Sequence, residues 1–252
     1  MTRAVAIVQA RMGSTRAPNK VLADIAGEPM LAHVLKRTAR AHVDAIVVAT
    51  TDKPEDAVLA RWVTESGLAS VYRGSEHDVL DRFWRAATQS QADVIVRVTA
   101  DDPLKDPQII DHALSLLEQD ESLDYASNTM RPTFPEGLDI EVFRFAALDR
   151  ANAQAKLASE REHVTPYIWK HPELFRVRNF EHAEDLSSWR WTVDKPADLE
   201  FMRKVFSAFP SGDPMPYQSV IDYVRRHPEV AAINSGTARN EGYAQSLQKE
   251  QP

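Results

Sequence analysis

Residues 9–20 carry two arginines (Arg11 and Arg16), a lysine (Lys20), two hydroxyls (Ser14 and Thr15) and a single glycine, Gly13. Together with the side chain of Gln9 and the backbone of Ala10, that set suits a triphosphate. Arginine offers a two-pronged fork, lysine a point charge, and successive loop N–H groups a cradle for closely spaced oxygens. The spacing is neither that of a GxxxxGK[ST] loop nor that of GxGxxG, since Gly13 stands alone. An exposed charged loop is the plainer alternative. Asp101 and Asp102 form a second group, two residues beyond a β-branched run that contains Arg97. Mg²⁺ takes one or two carboxylates together with phosphate oxygens and water. Asp102 could equally cap a helix before Pro103. Asp194 stands before Pro196 in the same way; it could cap a helix or complete a divalent site with Asp101.

Three further clusters have the right chemistry but weaker patterns. Arg73, Ser75 and Asp78 follow an apolar pair, and read as ligand contacts or as the capped start of a charged helix. Glu160, Arg161 and His163 sit together, with Glu160 and His163 one helical turn apart, so they share a face. A surface ion-pair face would look the same. Asp139 and Glu141 alternate on one side of an extended stretch that follows Pro135 and Gly137.

These residues must be carried by something regular. Residues 4–8 and 45–49 are short apolar runs typical of strands buried on both faces. Shorter strands are expected at 71–72 and 93–98. Between and after them fall helical stretches at 29–41, from Pro54 to Gly67, at 79–88, and from the Asp106-Pro107 cap to about Leu117. This βα alternation over the first ~120 residues predicts a mostly parallel central sheet with helices on both faces. Ligands of such sheets lie outside the carboxyl ends of the strands, which is where the charged clusters fall. The second half is an irregular α+β region. Strands are expected at 124–127, 138–143, 174–180 and 188–193, and helices at 145–155, 160–169, 196–206 and 217–226. One domain is expected over 1–233. Its nucleotide-binding half is 1–120, and 121–233 completes the acceptor and metal side. A polar, aperiodic tail follows at 234–252.

Composition narrows the function. The chain has 252 residues, 43% of them apolar, and a formal charge of −7. A packed α/β core is within reach, and wrapping of duplex nucleic acid by bulk charge is disfavoured. With no cysteine, disulfides, thiolate metal sites and thiol nucleophiles are excluded. No apolar run approaches a membrane span, and the run at residues 4–8 is too short for a signal peptide. The expectation is a cytoplasmic enzyme with no membrane partner.

Taken in order, the motifs resemble a known family. Residues 8–16 with Pro18 and Lys20 are similar to the opening loop of the cytidylyltransferases that activate acidic sugars such as 3-deoxy-manno-octulosonate and sialic acids. The branch named for spore coat polysaccharide biosynthesis also resembles the chain at 74–80, 97–103, 135–141, 161–166, 193–196 and even 240–243. The resemblance implies a nucleotidyltransferase fold of the glycosyltransferase-A type. It implies CTP as co-substrate, attack of an acceptor hydroxyl on the α-phosphorus, Mg²⁺ on Asp101 and Asp194, and a homodimer. By matching position, Arg11, Ser14, Arg16 and Lys20 would hold the triphosphate. Gln9, Ala10, Gly13, Arg73, Ser75, Asp78 and Arg97 would surround the nucleotide, with Arg11, Lys20, Asp101 and Asp194 as the catalytic set. Glu141, Glu160, Arg161 and His163 would face the acidic acceptor. Two positions depart from the family's Leu-Pro-Gly-Lys: Ala17, which forfeits an apolar contact, and Asn19, which still tolerates a left-handed backbone. A glycosyltransferase with a sugar-nucleotide donor and a non-catalytic nucleotide-binding subunit are the competing readings. The absence of an Asp-x-Asp spacing at 101–102 counts against the first of these.

Overall fold

A computed structural model describes residues 2–13, 19–210 and 212–250. The strands are β1 (Ala4–Gln9), β2 (Asp24–Ile25), β3 (Glu28–Pro29), β4 (Ala45–Thr51), β5 (Ser70–Gly74), β6 (Val94–Thr99), β7 (Tyr125–Ser127), β8 (Glu141–Arg144) and β9 (Val177–Asn179). Seven of them form one sheet in the order β5-β4-β1-β6-β8-β7-β9, and β2 and β3 make a small hairpin apart from it. β5, β4, β1 and β6 run parallel, as do β7 and β9; β8 is antiparallel to both β6 and β7.

The sheet is buried on both faces because its strands alternate between two cores. Ala4, Ala6 and Val8 of β1 face the helices Met30–Thr38, Ala57–Ser66, Pro107–Gln119, Pro196–Ser207 and Tyr217–Arg226. Val5 and Ile7 face the other way, onto Leu80 and Phe83 of helix Val79–Gln89 and Ala147 and Leu148 of helix Phe145–Gln154. The period of two along each strand sets this division. The chain leaves β1 toward β4 on one side and returns to β6 on the other. This is the topological switch at which such sheets bind ligands. Among the described residues, no helix is long and apolar enough to cross a membrane.

Four expected elements differ. The strand foreseen at 188–193 is reduced to one bridge, Glu136 to Arg190. Glu136 N–H donates to Trp189 O at 2.9 Å and Trp191 N–H to Glu136 O at 2.6 Å, but Pro135 has no N–H to extend the ladder. The helix foreseen at 160–169 is two helices, Ala158–His163 and Pro166–Lys170. Pro166 cannot continue the first, and Val164 between them takes φ 72°, a costly value for a β-branched residue. The polar stretch after 234 is not aperiodic throughout, since Glu241–Glu250 is a helix. Residues 138–140 also precede β8 rather than belong to it. The Asn128 side chain takes the place of a strand there, donating to Leu138 O (2.9 Å) and accepting from Ile140 N–H (2.8 Å).

Candidate active site

The first loop is tied down where its described ends meet. Met12 N–H donates to Oδ1 of buried Asp56 at 2.6 Å, and Asp56 also accepts from the Thr51 hydroxyl. Asn19 N–H returns to Met12 O at 3.2 Å. Asn19 takes the left-handed conformation (φ 61°, ψ 12°) that the family's glycine would supply, and a single turn, Lys20–Leu22, follows. That turn aims Lys20 across the crevice. Its Nζ donates to Asp101 Oδ2 (2.9 Å), Asp194 Oδ1 (2.8 Å) and Val193 O (2.7 Å). Burial alone would lower the ammonium's pKa, but the two carboxylates more than offset it, so the pKa is raised.

The capping alternatives are resolved by division of labour. Asp198, not Asp194, caps helix Pro196–Ser207: its carboxylate accepts from Asp194 N–H (2.9 Å) and Lys195 N–H (2.8 Å). Buried Arg190 joins Asp198, Asp194 and Glu136. Asp102 turns inward to Lys105 Nζ (2.9 Å) and the Thr99 hydroxyl (2.6 Å). Asp101 and Asp194 are therefore the pair presented to the crevice. Among the described residues no group of three or more His, Asp or Glu could hold a metal by itself. Two carboxylates already sharing one cation nonetheless have the donor chemistry that a Mg²⁺ ion would use together with phosphate oxygens and water. The donor set fits.

Beside this pair lies a cleft of about 510 Å³, whose lining includes Gln9, Arg97, Thr99, Asp101, Glu136, Asp139, Glu141, His163, Thr165, Trp169, Asp194 and residues 240–243. Glu141 is its hub. It pairs with Arg97 and accepts from the Tyr125 hydroxyl (2.7 Å) and the Thr165 hydroxyl. Burial pushes its carboxyl up, but Arg97 and the two hydroxyls outweigh that and leave it below its ordinary pKa. Gln9 Oε1 accepts from the other arm of Arg97 at 3.2 Å. His163 is held neutral, its pKa pushed down to about 4 by burial and then by Arg97.

Asp139, paired with Arg239, is raised from 3.8 to about 6 by burial; Arg239 and Lys105 pull it down only in part. Folding therefore takes up a proton here, and this group's contribution to stability falls as pH rises from about 4 to about 6. Asp139→Asn is expected to flatten that part of the stability profile, as read by urea unfolding across the window. An unchanged slope relative to wild type would contradict the raised value.

The other candidates are placed differently. Arg11, half exposed, pairs with Glu76 at 3.2 Å, and Lys53, which sequence reasoning passed over, pairs with the same carboxylate. Ala10 is buried beside β4, and Gly13 lies at the described edge of the loop. Ser14 and Arg16 fall outside the described residues. Arg73 bonds the backbone carbonyls of Thr51 (3.0 Å) and Lys53 (2.7 Å), which fastens β5 to the end of β4. Ser75 accepts from Asp78 N–H, and Asp78 caps helix Val79–Gln89.

Two acceptor-side candidates lie outside the cleft lining. Arg161 is not in the cleft: it grips Asp78 through Nε (3.0 Å) and Nη2 (2.6 Å) and bonds Asn152. Glu160, also outside the cleft lining, is buried and turns back to Leu157 N–H. Arg161 ties the short helix to Asp78 and Asn152, and Glu160 closes that helix's first turn. Arg161→Ala is thus expected to cost about 1–2 kcal/mol of stability while leaving the acceptor's KM unchanged. A rise in that KM at unchanged melting temperature would restore the original assignment.

Comparison with known proteins shows the family. Residues 5–223 match the family model described as "Cytidylyltransferase". The chain belongs to the cytidylyltransferase family. It is 32% identical over 234 residues to the spore coat polysaccharide biosynthesis protein SpsF of Bacillus subtilis, covering 89% of this chain and 95% of that one. It is 29% identical over 249 residues to a 3-deoxy-manno-octulosonate cytidylyltransferase of an Anaeromyxobacter species, covering 83% and 99%. A solved cytidylyltransferase structure from Leptospira borgpetersenii superposes with TM-score 0.88 at 30% identity over 94% of this chain and all of that one. As a cytidylyltransferase the protein is a nucleotidyl-transferring enzyme. The expectation of a nucleotidyltransferase α/β fold holds, and the glycosyltransferase and non-catalytic readings lose their ground.

Proposed function

We propose that this cytidylyltransferase moves the cytidylyl group of CTP onto a hydroxyl of an acidic sugar and releases pyrophosphate, supplying an activated sugar for surface glycan assembly. The observation that carries this reading is Lys20, bridging Asp101 and Asp194 beside a polar cleft at the switch point of the sheet. The acceptor hydroxyl attacks the α-phosphorus in line. Its P–O bond forms as the bond to the β-phosphate oxygen breaks, pyrophosphate leaves with the electron pair, and the hydroxyl proton passes to water or a cleft carboxylate. Lys20, Arg11, Ser14 and Arg16 neutralise and orient the phosphates. Asp101 and Asp194 would hold Mg²⁺, which when bound supplies charge neutralisation on phosphate oxygens. Gln9 and the first-strand edge border the nucleotide, and Arg97 is the cation set to meet an acceptor carboxylate.

Thermal unfolding with Mg²⁺ and CTP, UTP, ATP or GTP, and separately with UDP-sugars, tests the donor. A ligand at 100 times its Kd adds ~2.7 kcal/mol, a rise of roughly 5–10 °C for a chain this size. CTP alone among the four is expected to give it, and CTP with an accepted sugar acid to release pyrophosphate. Equal shifts with all four nucleotides, or a shift only with UDP-sugars, would overturn the proposal.

A further inference from the structure

The family match ends at residue 223, yet residues 240–243 line the cleft beside Asp101 and Glu141. The part of the chain that the family model matches therefore does not contain the whole wall of this cleft. The missing part comes from the C-terminal helix Glu241–Glu250 and the residues just before it. That helix contributes no side chain to the buried apolar core among the described residues.

Polar contacts hold the segment instead. Arg239 donates to Phe134 O at 3.0 Å and pairs with Asp139. Asn240 N–H donates to Glu136 Oε1 at 2.9 Å, and Glu250 accepts from the Ser159 hydroxyl at 2.8 Å. A segment fixed by such contacts, with little apolar burial, sits at the low end of local stability and can be ordered by a ligand.

Tyr243 is the side chain around which this wall is built. Its ring meets His163 edge-on at 5.0 Å and Trp169 at 6.1 Å, with Lys170 Nζ 5.6 Å from its centroid. Its hydroxyl is buried and has no hydrogen-bond partner among the described residues, and Arg97 Nε across the same cleft is in the same condition. Leaving such groups unpaired is costly, so each is set to meet a partner from a ligand. The rest of the wall says what ligand. Aromatic rings cover an apolar C–H face, the Glu136 and Asp139 carboxylates accept from hydroxyls, and Arg97 is the one cationic side chain among the described lining residues.

We propose that residues 239–250 form the acceptor-selecting wall of the enzyme and that Tyr243 is a specificity-determining residue. Its hydroxyl bonds a sugar bearing one carboxylate, which docks on Arg97. The proposal rests on the transfer reading above but is tested apart from it.

Hydrogen exchange of residues 240–250 in the full chain is followed with CMP and Mg²⁺, an unreactive nucleotide, and then with added sugars. The panel is 3-deoxy-manno-octulosonate, N-acetylneuraminate and glucuronate, against glucose and glucosamine. Nucleotide alone is expected to leave exchange unchanged, and at least one of the acids, but neither control, to slow it about tenfold. Tyr243→Phe keeps the ring and is expected to remove that protection. It should raise the KM for the same acid about tenfold, the loss of roughly one hydrogen bond, with kcat and the KM for CTP changed less than about twofold. Protection by no acid, equal protection by the controls, or an unchanged acid KM in Tyr243→Phe would overturn the proposal. Protection without pyrophosphate release from CTP would sink the transfer reading and leave this one standing; release without protection would do the reverse.

Discussion

Lys20→Met is expected to lower cytidylyl transfer by about 10²–10³-fold, the scale of removing one preorganised charge from a transition state. The same change should cost the ligand-free protein about 2–3 kcal/mol. The ammonium is the shared partner of Asp101 and Asp194, and neither carboxylate is more than 28% exposed. Removing the cation leaves two like charges facing each other in a partly dry site. A second consequence follows. With the ammonium gone, Mg²⁺ can take its place between the two carboxylates, so the divalent ion should raise the variant's melting temperature more than that of wild type. Thermal unfolding with and without Mg²⁺, together with pyrophosphate release, reads all three effects. Near-wild-type turnover would remove Lys20 from the catalytic set. Equal Mg²⁺ stabilisation of both proteins would remove the aspartate pair as its site.

Gly137→Ala is expected to destabilise the fold by about 3 kcal/mol or more, a fall in melting temperature of roughly 6–12 °C. Gly137 takes φ 105°, and a Cβ built there would lie 2.2 Å from the carbonyl oxygen of Trp191. The obstacle is backbone, so no rotamer change relieves it. Relief requires the 135–137 turn to move away from 189–191. Those two segments exchange the Glu136 backbone hydrogen bonds and the Glu136–Arg190 ion pair. Arg190 in turn positions Asp194. Activity should therefore fall more steeply than stability, because the displaced 189–191 segment, through Arg190, positions Asp194, half of the carboxylate pair. Differential scanning calorimetry beside a turnover assay at low temperature separates the two losses. A variant that melts like wild type would mean that the turn is free to shift.

Much of the framework was legible because it is local. The runs at 4–8 and 45–49 and the Asp106-Pro107 cap each carry their own signal. Period-two alternation or an N-terminal proline acts within a few residues, whatever the rest of the chain does. The strand foreseen at 188–193 failed because its partner was a proline-flanked turn over fifty residues away. The helix at 241–250 was missed because it buries no apolar stripe, the one feature by which a helix announces itself in sequence.

The site divides in the same way. The residue types alone placed Arg11, Lys20, Asp101 and Asp194 among the candidates, since phosphate and divalent ions each demand a particular donor chemistry, and the family resemblance gave Glu141 its acceptor-side role. Which of two adjacent carboxylates is presented could not be read there. Asp101 rather than Asp102 faces Lys20, and Asp198 relieves Asp194 of the helix cap, through contacts with partners up to 174 residues apart. Arg161 shows the converse: its chemistry suited an acceptor carboxylate, but Asp78, 83 residues earlier, already holds it. Composition and local pattern determined what chemistry was available to this chain. Only tertiary structure, by spending some charges on each other in packing, decided which of them remain for a ligand.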